Sequence, residues 1–372
     1  MNNTLDPLNG GGTAERTLQV SRFLAELGAD CTVLALDTGV TDDVRKRAGR
    51  ARIVTLPCRV ERYFVPSMSW NTLSNLVLAT DVIQMMNHWT LLNAMVFHYA
   101  RRYRKPYVVC PAGALPIFGR SKVLKGLYEM IVGRRIVREA SACVAVSSNE
   151  IPDLKAHGAL EEMISIIPNG IDPGDYVHAD DQGFRRRYRL PDVPFILFVG
   201  RLNRIKGPDL LLDAFIRVVR ARGIPHHLVF AGPDSGMLGE LQVTSVREGV
   251  EKRIHFLGYV GDEDKSCAYH AADFLVIPSR QEAMSIVVLE AGIAGTPVLL
   301  TDQCGFDDVA TVVGGMVVTA SVEGLQEGLT VMTSDTAELR IMGENLEHFV
   351  RHHFLWDRTA KEYLELFRRI IH

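Results

Sequence analysis

An α/β chain of two doubly wound domains is what this sequence predicts, and three observations carry that prediction. Short apolar runs alternate with helical patterns along its whole length, as parallel strands joined by crossover helices require. The 372 residues exceed the roughly 250–300 that a single hydrophobic core supports. Two of the apolar runs, 195–199 and 274–277, stop at glycine or proline loops that lead into helices. Open α/β sheets bind their ligands at such carboxyl ends of strands.

Taken in order, the first half offers helical periodicity over 13–27, closed by Gly28, and strands at 31–36, 52–56, 81–85, 107–110, 142–146 and 164–167. A doubly wound domain should open with a strand, yet Met1 to Asn9 is polar and turn-like. The chain therefore reads as starting at the glycine loop Gly10-Gly11-Gly12, its first strand missing. A start codon upstream of Met1 is the favoured explanation, because losing a central strand would expose sheet edges. Residues 1–170 form the expected N-terminal domain, and the polar stretch 171–190 the linker. A second domain, 191–350, has strands at 195–199, 227–231, 254–257, 274–277, 298–301 and 315–318. A closing segment, 351–372, places Tyr363, Leu364, Phe367, Ile370 and Ile371 on one helical face, suited to latching the domains.

Composition narrows the class. At 47% hydrophobic and 23% charged, the chain is an ordinary globular protein. Its six cysteines are scattered, with no Cys-x-x-Cys pair and no histidines at zinc spacing, so buried thiols in a reducing compartment are expected and no metal site. Neither a run of about 18 apolar residues nor a signal-peptide pattern is present, which points to the cytoplasm. Residues 1–170 carry 20 Lys+Arg against 15 Asp+Glu, a net +5, whereas the remainder carries 21 against 29, a net −8. The positive excess lies in 101–138, where ten basic residues, Arg120 among them, accompany one acid, Glu129. Apolar residues interleave from Val123 to Val132 at helical spacing. A basic amphipathic helix of this kind suits an anionic membrane surface at the inner face of a membrane, although a solvated helix or a site for an anionic soluble substrate gives the same pattern. No nucleic-acid partner is expected.

The chemistry-bearing residues sit around the two loops. Glu282 falls in the loop after 274–277, and Glu290 one to two turns into the next helix, for which Ser285 is the expected cap. Two glutamates near a helix start are ordinarily solvated charges that favour the helix dipole. The reading changes because Gly200-Arg201-Leu-Asn-Arg-Ile-Lys206-Gly207-Pro208 lies upstream with the same polarity. Arg201 offers a planar fork and Lys206 a mobile point charge, together able to neutralise a diphosphate. Two carboxylates for hydroxyls, two cations and a helix start for phosphates describe a nucleotide-sugar site.

In this order the elements resemble the family 4 glycosyltransferases, whose GT-B fold has two Rossmann-like domains facing a cleft. Matching segments run from Asn9 to Phe367: Gly10 to Glu15, Pro111-Ala-Gly113, Ile167-Pro-Asn-Gly-Ile-Asp172, Val199 to Gly207, and Glu282 to Pro297. The resemblance implies a retaining, metal-independent transfer of sugar from a UDP- or GDP-sugar to a glycan or lipid-linked acceptor, with no other cofactor. It implies that Arg201 and Lys206 hold the diphosphate, Glu282 contacts the donor sugar, and Glu290 holds the ribose. Backbone amides of Met284, Ser285, Ile286 and Val287 would meet the phosphates, Gly11 and Gly12 would let the first domain approach the donor, and Tyr259 lies where the base docks. Two departures stand out. Ala283-Met284-Ser285 replaces the family's Gly-Phe-Gly, and Ala112 replaces a histidine near the transferred sugar, for which His88 is a candidate substitute. Surface polysaccharide synthesis in a bacterial-type cell is the expected setting. The rival readings are a non-catalytic nucleotide-sugar scaffold subunit and an epimerase on the same fold.

Overall fold

A computed structural model of the chain describes residues 1–6, 10–67, 70–117 and 122–371; Asn9 and Arg120, named above, lie outside these. Two compact units result, Met1–Gly170 with Trp356–His372, and Ile171–Leu355.

The second unit is built on six parallel strands: β9 (Phe195–Val199), β10 (His227–Ala231), β11 (Ile254–Gly258), β12 (Phe274–Ile277), β13 (Val298–Thr301) and β14 (Gly315–Val318). Their order is β11-β10-β9-β12-β13-β14. Counted within the unit this is 3-2-1-4-5-6, the doubly wound order whose direction reverses between its first and fourth strands. Helices cover both faces, so the strands read as continuous apolar runs rather than alternating ones. Ile196, Phe198, Leu228, Phe230, Phe274 and Val276 share one core with Leu211, Phe215, Leu325 and Leu329 of the covering helices. Residues 171–190, read from their polarity as a linker, belong to this unit and carry the helix Asp181–Tyr188, whose Phe184 is fully buried.

The first unit holds the parallel pair β1 (Thr32–Leu36) and β2 (Arg52–Leu56), a small antiparallel hairpin of β3 (Cys58–Val60) and β4 (Val65–Pro66), and a parallel sheet β5 (Ile83–Met86), β6 (Tyr107–Cys110), β7 (Ala142–Ala145), β8 (Ile164–Ile166). The strand thought missing has its place filled. Met1 N donates to Gln84 O at 2.6 Å and Met86 N to Met1 O at 3.0 Å on one side. On the other, Asn2 N donates to Leu34 O at 3.0 Å and Leu36 N to Asn3 O at 3.2 Å. Residues 1–3 thus join the two sheets as a short parallel stub. Polar side chains hid it: the buried Asn2 amide donates to Thr13 O and Thr17 Oγ1 and accepts from Asn87. The glycines after it are not a free loop, since the helix Gly11–Glu26 begins at the second of them.

Helix Thr336–His353 ends the second unit, and helix Trp356–Ile371 returns to the first, against Gly11–Glu26. Its buried face is Trp356, Thr359, Ala360, Tyr363, Leu366 and Phe367. Of the expected face, Tyr363 and Phe367 are buried, whereas Leu364 and Ile370 are half-buried and Ile371 is exposed.

Candidate functional site

Both chemistry-bearing loops emerge from the strands that flank the switch point, β9 and β12, which is where a doubly wound sheet leaves a crevice. The β9 loop is shaped by glycine. Gly207 has φ +69, and a Cβ there would strike the Pro278 carbonyl, so only glycine lets this loop lie against the β12 loop. Asn203 Oδ1 accepts from the Lys206 backbone N–H at 3.0 Å, fixing the turn, and Pro208 opens the helix Pro208–Arg222 at a position whose missing N–H costs nothing.

These loops bring the predicted residues together. Lys206 Nζ lies 2.7 Å from Glu282 Oε1, which also accepts from Ser279 Oγ. Arg201 is exposed and its guanidinium pairs with no other described residue, leaving five donors for a ligand. Glu290 is 5% exposed and committed at both oxygens: Lys265 Nζ is 3.0 Å from Oε1, and Tyr269 OH donates to Oε2 at 2.6 Å. Burial alone would raise the Glu290 pKa, but the Lys265 charge and the Tyr269 hydrogen bond outweigh it and hold it below the usual range.

Ser285 does not cap its helix. Its Oγ is buried and makes no hydrogen bond among the described residues, and its backbone N–H is taken by Cys304 O at 3.2 Å. The helix Ile286–Ile293 therefore starts without a side-chain cap, and its first N–H groups, at Ile286 and Val287, have no intrahelical partner by geometry. Of the amides from Met284 to Val287 expected to meet the phosphates, that of Ser285 is thus already bonded. Tyr259, half exposed, follows Gly258 at the end of β11. Gly11 and Gly12 belong to the first unit, at the start of its first helix.

Several supporting residues escaped the sequence. Arg280 forks onto Asp209 at 2.8 and 2.7 Å and donates to Arg204 O at 2.6 Å, tying the two loops. Burial pushes the Asp209 carboxyl up, and the guanidinium overrides it, giving a net lowering. Arg280 stands two residues before Glu282, but nothing in the sequence separates it from a surface cation. In the first unit, Ala112 takes a left-handed φ of +48, and His88 is buried with Nε2 3.0 Å from Glu129 Oε2. His88 is thus committed to a cluster of its own.

Comparison with known proteins identifies the family. Residues 10–175 match the family model described as Glycosyltransferase Family 4, and residues 180–349 the one described as Glycosyl transferases group 1. The chain belongs to the glycosyltransferases of this family, with the GT-B pairing of two Rossmann-like domains. It is 28% identical over 256 residues to a D-inositol 3-phosphate glycosyltransferase of Jonesia denitrificans, a match covering 64% of this chain and 59% of that protein. Among solved structures, Anabaena Alr3699/HepE in complex with UDP-glucose superposes with a TM-score of 0.82 at 18% identity, over 99% of this chain and 98% of that one. WaaG, a glycosyltransferase involved in lipopolysaccharide biosynthesis, gives 0.71 at 20% identity, over 97% and 96%. No helix of the described residues is long and apolar enough to cross a membrane.

Proposed function

We propose that this chain is a retaining glycosyltransferase that moves a sugar from a UDP- or GDP-sugar to a glycan or lipid-linked acceptor, without a metal at the diphosphate. The observation that carries this is the junction of Lys206, Glu282 and the uncapped start of helix Ile286–Ile293, at the sheet's switch point. Negative charge builds on the leaving diphosphate as the glycosidic bond breaks, and a preset cation and helix N–H groups stabilise it most in the transition state. Lys206 and Arg201 supply the positive charge that a divalent ion supplies elsewhere. Glu282 holds Lys206 in place and offers its remaining lone pairs to donor hydroxyls. It is not assigned as a nucleophile: retention by front-face attack, with the leaving phosphate oxygen taking the acceptor proton, needs none. Glu290, fixed by Lys265 and Tyr269, retains acceptor capacity for ribose hydroxyls, and Tyr259 is the candidate for stacking the base.

Surface polysaccharide synthesis is the setting favoured, because the first unit bears an apolar and basic segment suited to a lipid-linked acceptor. Val123 is 85% and Met130 75% exposed, with Leu124, Leu127 and Ile131 also exposed and Lys122, Lys125, Arg134, Arg135 and Arg138 around them. An apolar face ringed by cations matches an anionic membrane surface in both respects.

The test is a panel of nucleotide sugars with thermal-shift detection, followed by turnover of wild type, Arg201→Ala and Lys206→Ala with the donor found. Each variant should lose at least about tenfold in turnover, some 1.4 kcal/mol or more of transition-state stabilisation. Wild-type rates in both would remove the phosphate-site assignment. Nucleotide release without acceptor would favour an epimerase, and tight donor binding with no turnover a scaffold role.

A further inference from the structure

We propose that His88, Glu129 and His157 form a binding site for one divalent transition-metal ion of the zinc type, in the first unit. Their donor atoms lie within 4.8 Å of one another although the residues are scattered over the sequence. His88 follows β5, Glu129 opens a π-helical turn at Glu129–Gly133, and His157 ends the helix Ile151–Ala156. Nε2 of His88 is 3.0 Å from Glu129 Oε2, and Nε2 of His157 is 3.4 Å from Glu129 Oε1. Ligands at about 2.0–2.1 Å from a tetrahedral zinc stand roughly 3.3 Å apart, so the two nitrogen–oxygen separations, one to each carboxylate oxygen, are close to that spacing.

Protonation makes the argument specific. A carbonyl only accepts, so the 2.7 Å contact between His157 Nδ1 and Asp153 O puts a hydrogen on Nδ1. A neutral His157 then turns the lone pair of Nε2 toward a carboxylate oxygen, two acceptors face to face. A cation between them resolves that arrangement, as would a proton on either the ring or the carboxyl. The Nδ1 hydrogen bond to a backbone carbonyl is also the outer contact that orients metal-bound histidines. Glu129 Oε1 is buried without a hydrogen-bond partner among the described residues, so hydrogen bonding within the cluster leaves an acceptor open.

The surroundings fit. Arg134, the remaining charge, sits 3.9 Å from Glu129 Oε1 with its side chain 70% exposed, able to swing out. Gly133 keeps the centre open, since a Cβ there would collide with Glu129 Oε2 and lie 3.0 Å from His88 Nε2. The π turn itself inserts a residue into the helix, and such bulges recur at functional sites. Three protein ligands leave a fourth position for water. The ion would fasten the basic segment to the carboxyl edge of the sheet, apart from any role at the diphosphate.

The experiment uses the full chain, stripped with chelator and dialysed against one equivalent of Co(II) or Zn(II). The expected result is close to one ion retained per chain by elemental analysis, with visible cobalt absorption of tetrahedral or five-coordinate intensity that Zn(II) abolishes. His157→Ala and Glu129→Gln should each lower retention at least about tenfold, with circular dichroism reporting whether the fold persists. The part-exposed His157 makes that variant the one expected to fold unchanged. A wild type that retains no ion, or variants that fold and retain as much as wild type, would overturn the site and leave the three side chains as a hydrogen-bonded cluster. Because the readout is bound metal, the outcome is independent of glycosyl transfer.

Discussion

Arg16 has no exposed surface and spends its charge on three partners: Asn169 Oδ1 at 2.7 Å, Ile167 O at 2.7 Å and Tyr363 OH at 2.9 Å. It joins the first helix, the Ile-Pro-Asn-Gly segment and the last helix of one unit. A buried cation tolerates no lost acceptor cheaply. Tyr363→Phe removes one acceptor and nothing else of size, and is expected to cost about 1–3 kcal/mol, seen as a lower melting temperature with the same far-ultraviolet spectrum. An unchanged melt would show that Arg16 is satisfied without the phenol. The sequence marked residues 167–172 as a motif, but as a sign of resemblance. Its physical work is here: Asn169 takes the Arg16 hydrogen bond, and Gly170 lies so close to Trp356 that a Cβ would sit 2.7 Å from its backbone nitrogen. Arg16 itself was invisible, because a basic residue at helical spacing reads as a solvated one. Glu282 and Lys206 were legible as types; their 2.7 Å pairing was not.

At the scale of elements, the strand–loop–helix units of the second half were readable because both faces of their sheet are buried, which gives unbroken apolar runs ended by glycine or proline. The loops' mutual packing depends on a carbonyl and a missing side chain. Gly207→Ala introduces both a strained positive φ and a collision with the Pro278 carbonyl, so the two loops must part. Donor affinity should fall at least about tenfold, the equivalent of 1.4 kcal/mol. Binding measured by calorimetry with the best donor would check this, and unaltered affinity would mean that the loops bind independently. Elsewhere patterns misled. The stub at Met1–Asn3 carries asparagines where strands carry valines, since its side chains bond the adjacent helix and loop. The segment 122–138 has helical spacing, yet its π turn, which sets Glu129 inward, leaves no periodic trace across so few residues.

For the whole molecule, the charge asymmetry and the exposed apolar face of 122–133 predict attachment to an anionic bilayer. Pelleting with vesicles containing phosphatidylglycerol should exceed that with neutral vesicles and weaken in about 0.5 M salt, as screening shortens the reach of the basic residues. Replacing Val123 and Met130 by Asp should lower it several-fold without changing the melt. Binding indifferent to lipid charge, salt and these substitutions would return the segment to a solvated helix.

By itself the sequence determined the class of fold, twelve of the fourteen strands among the described residues to within two residues at either end, and the kinds of side chain that stand at the switch point, because periodicity and chain punctuation act locally. Tertiary structure alone decided which donors meet. His88, Glu129 and His157, or Arg16, Asn169 and Tyr363, become neighbours only when crossover connections bring distant carboxyl ends of strands and helices side by side, and no local pattern encodes that distance.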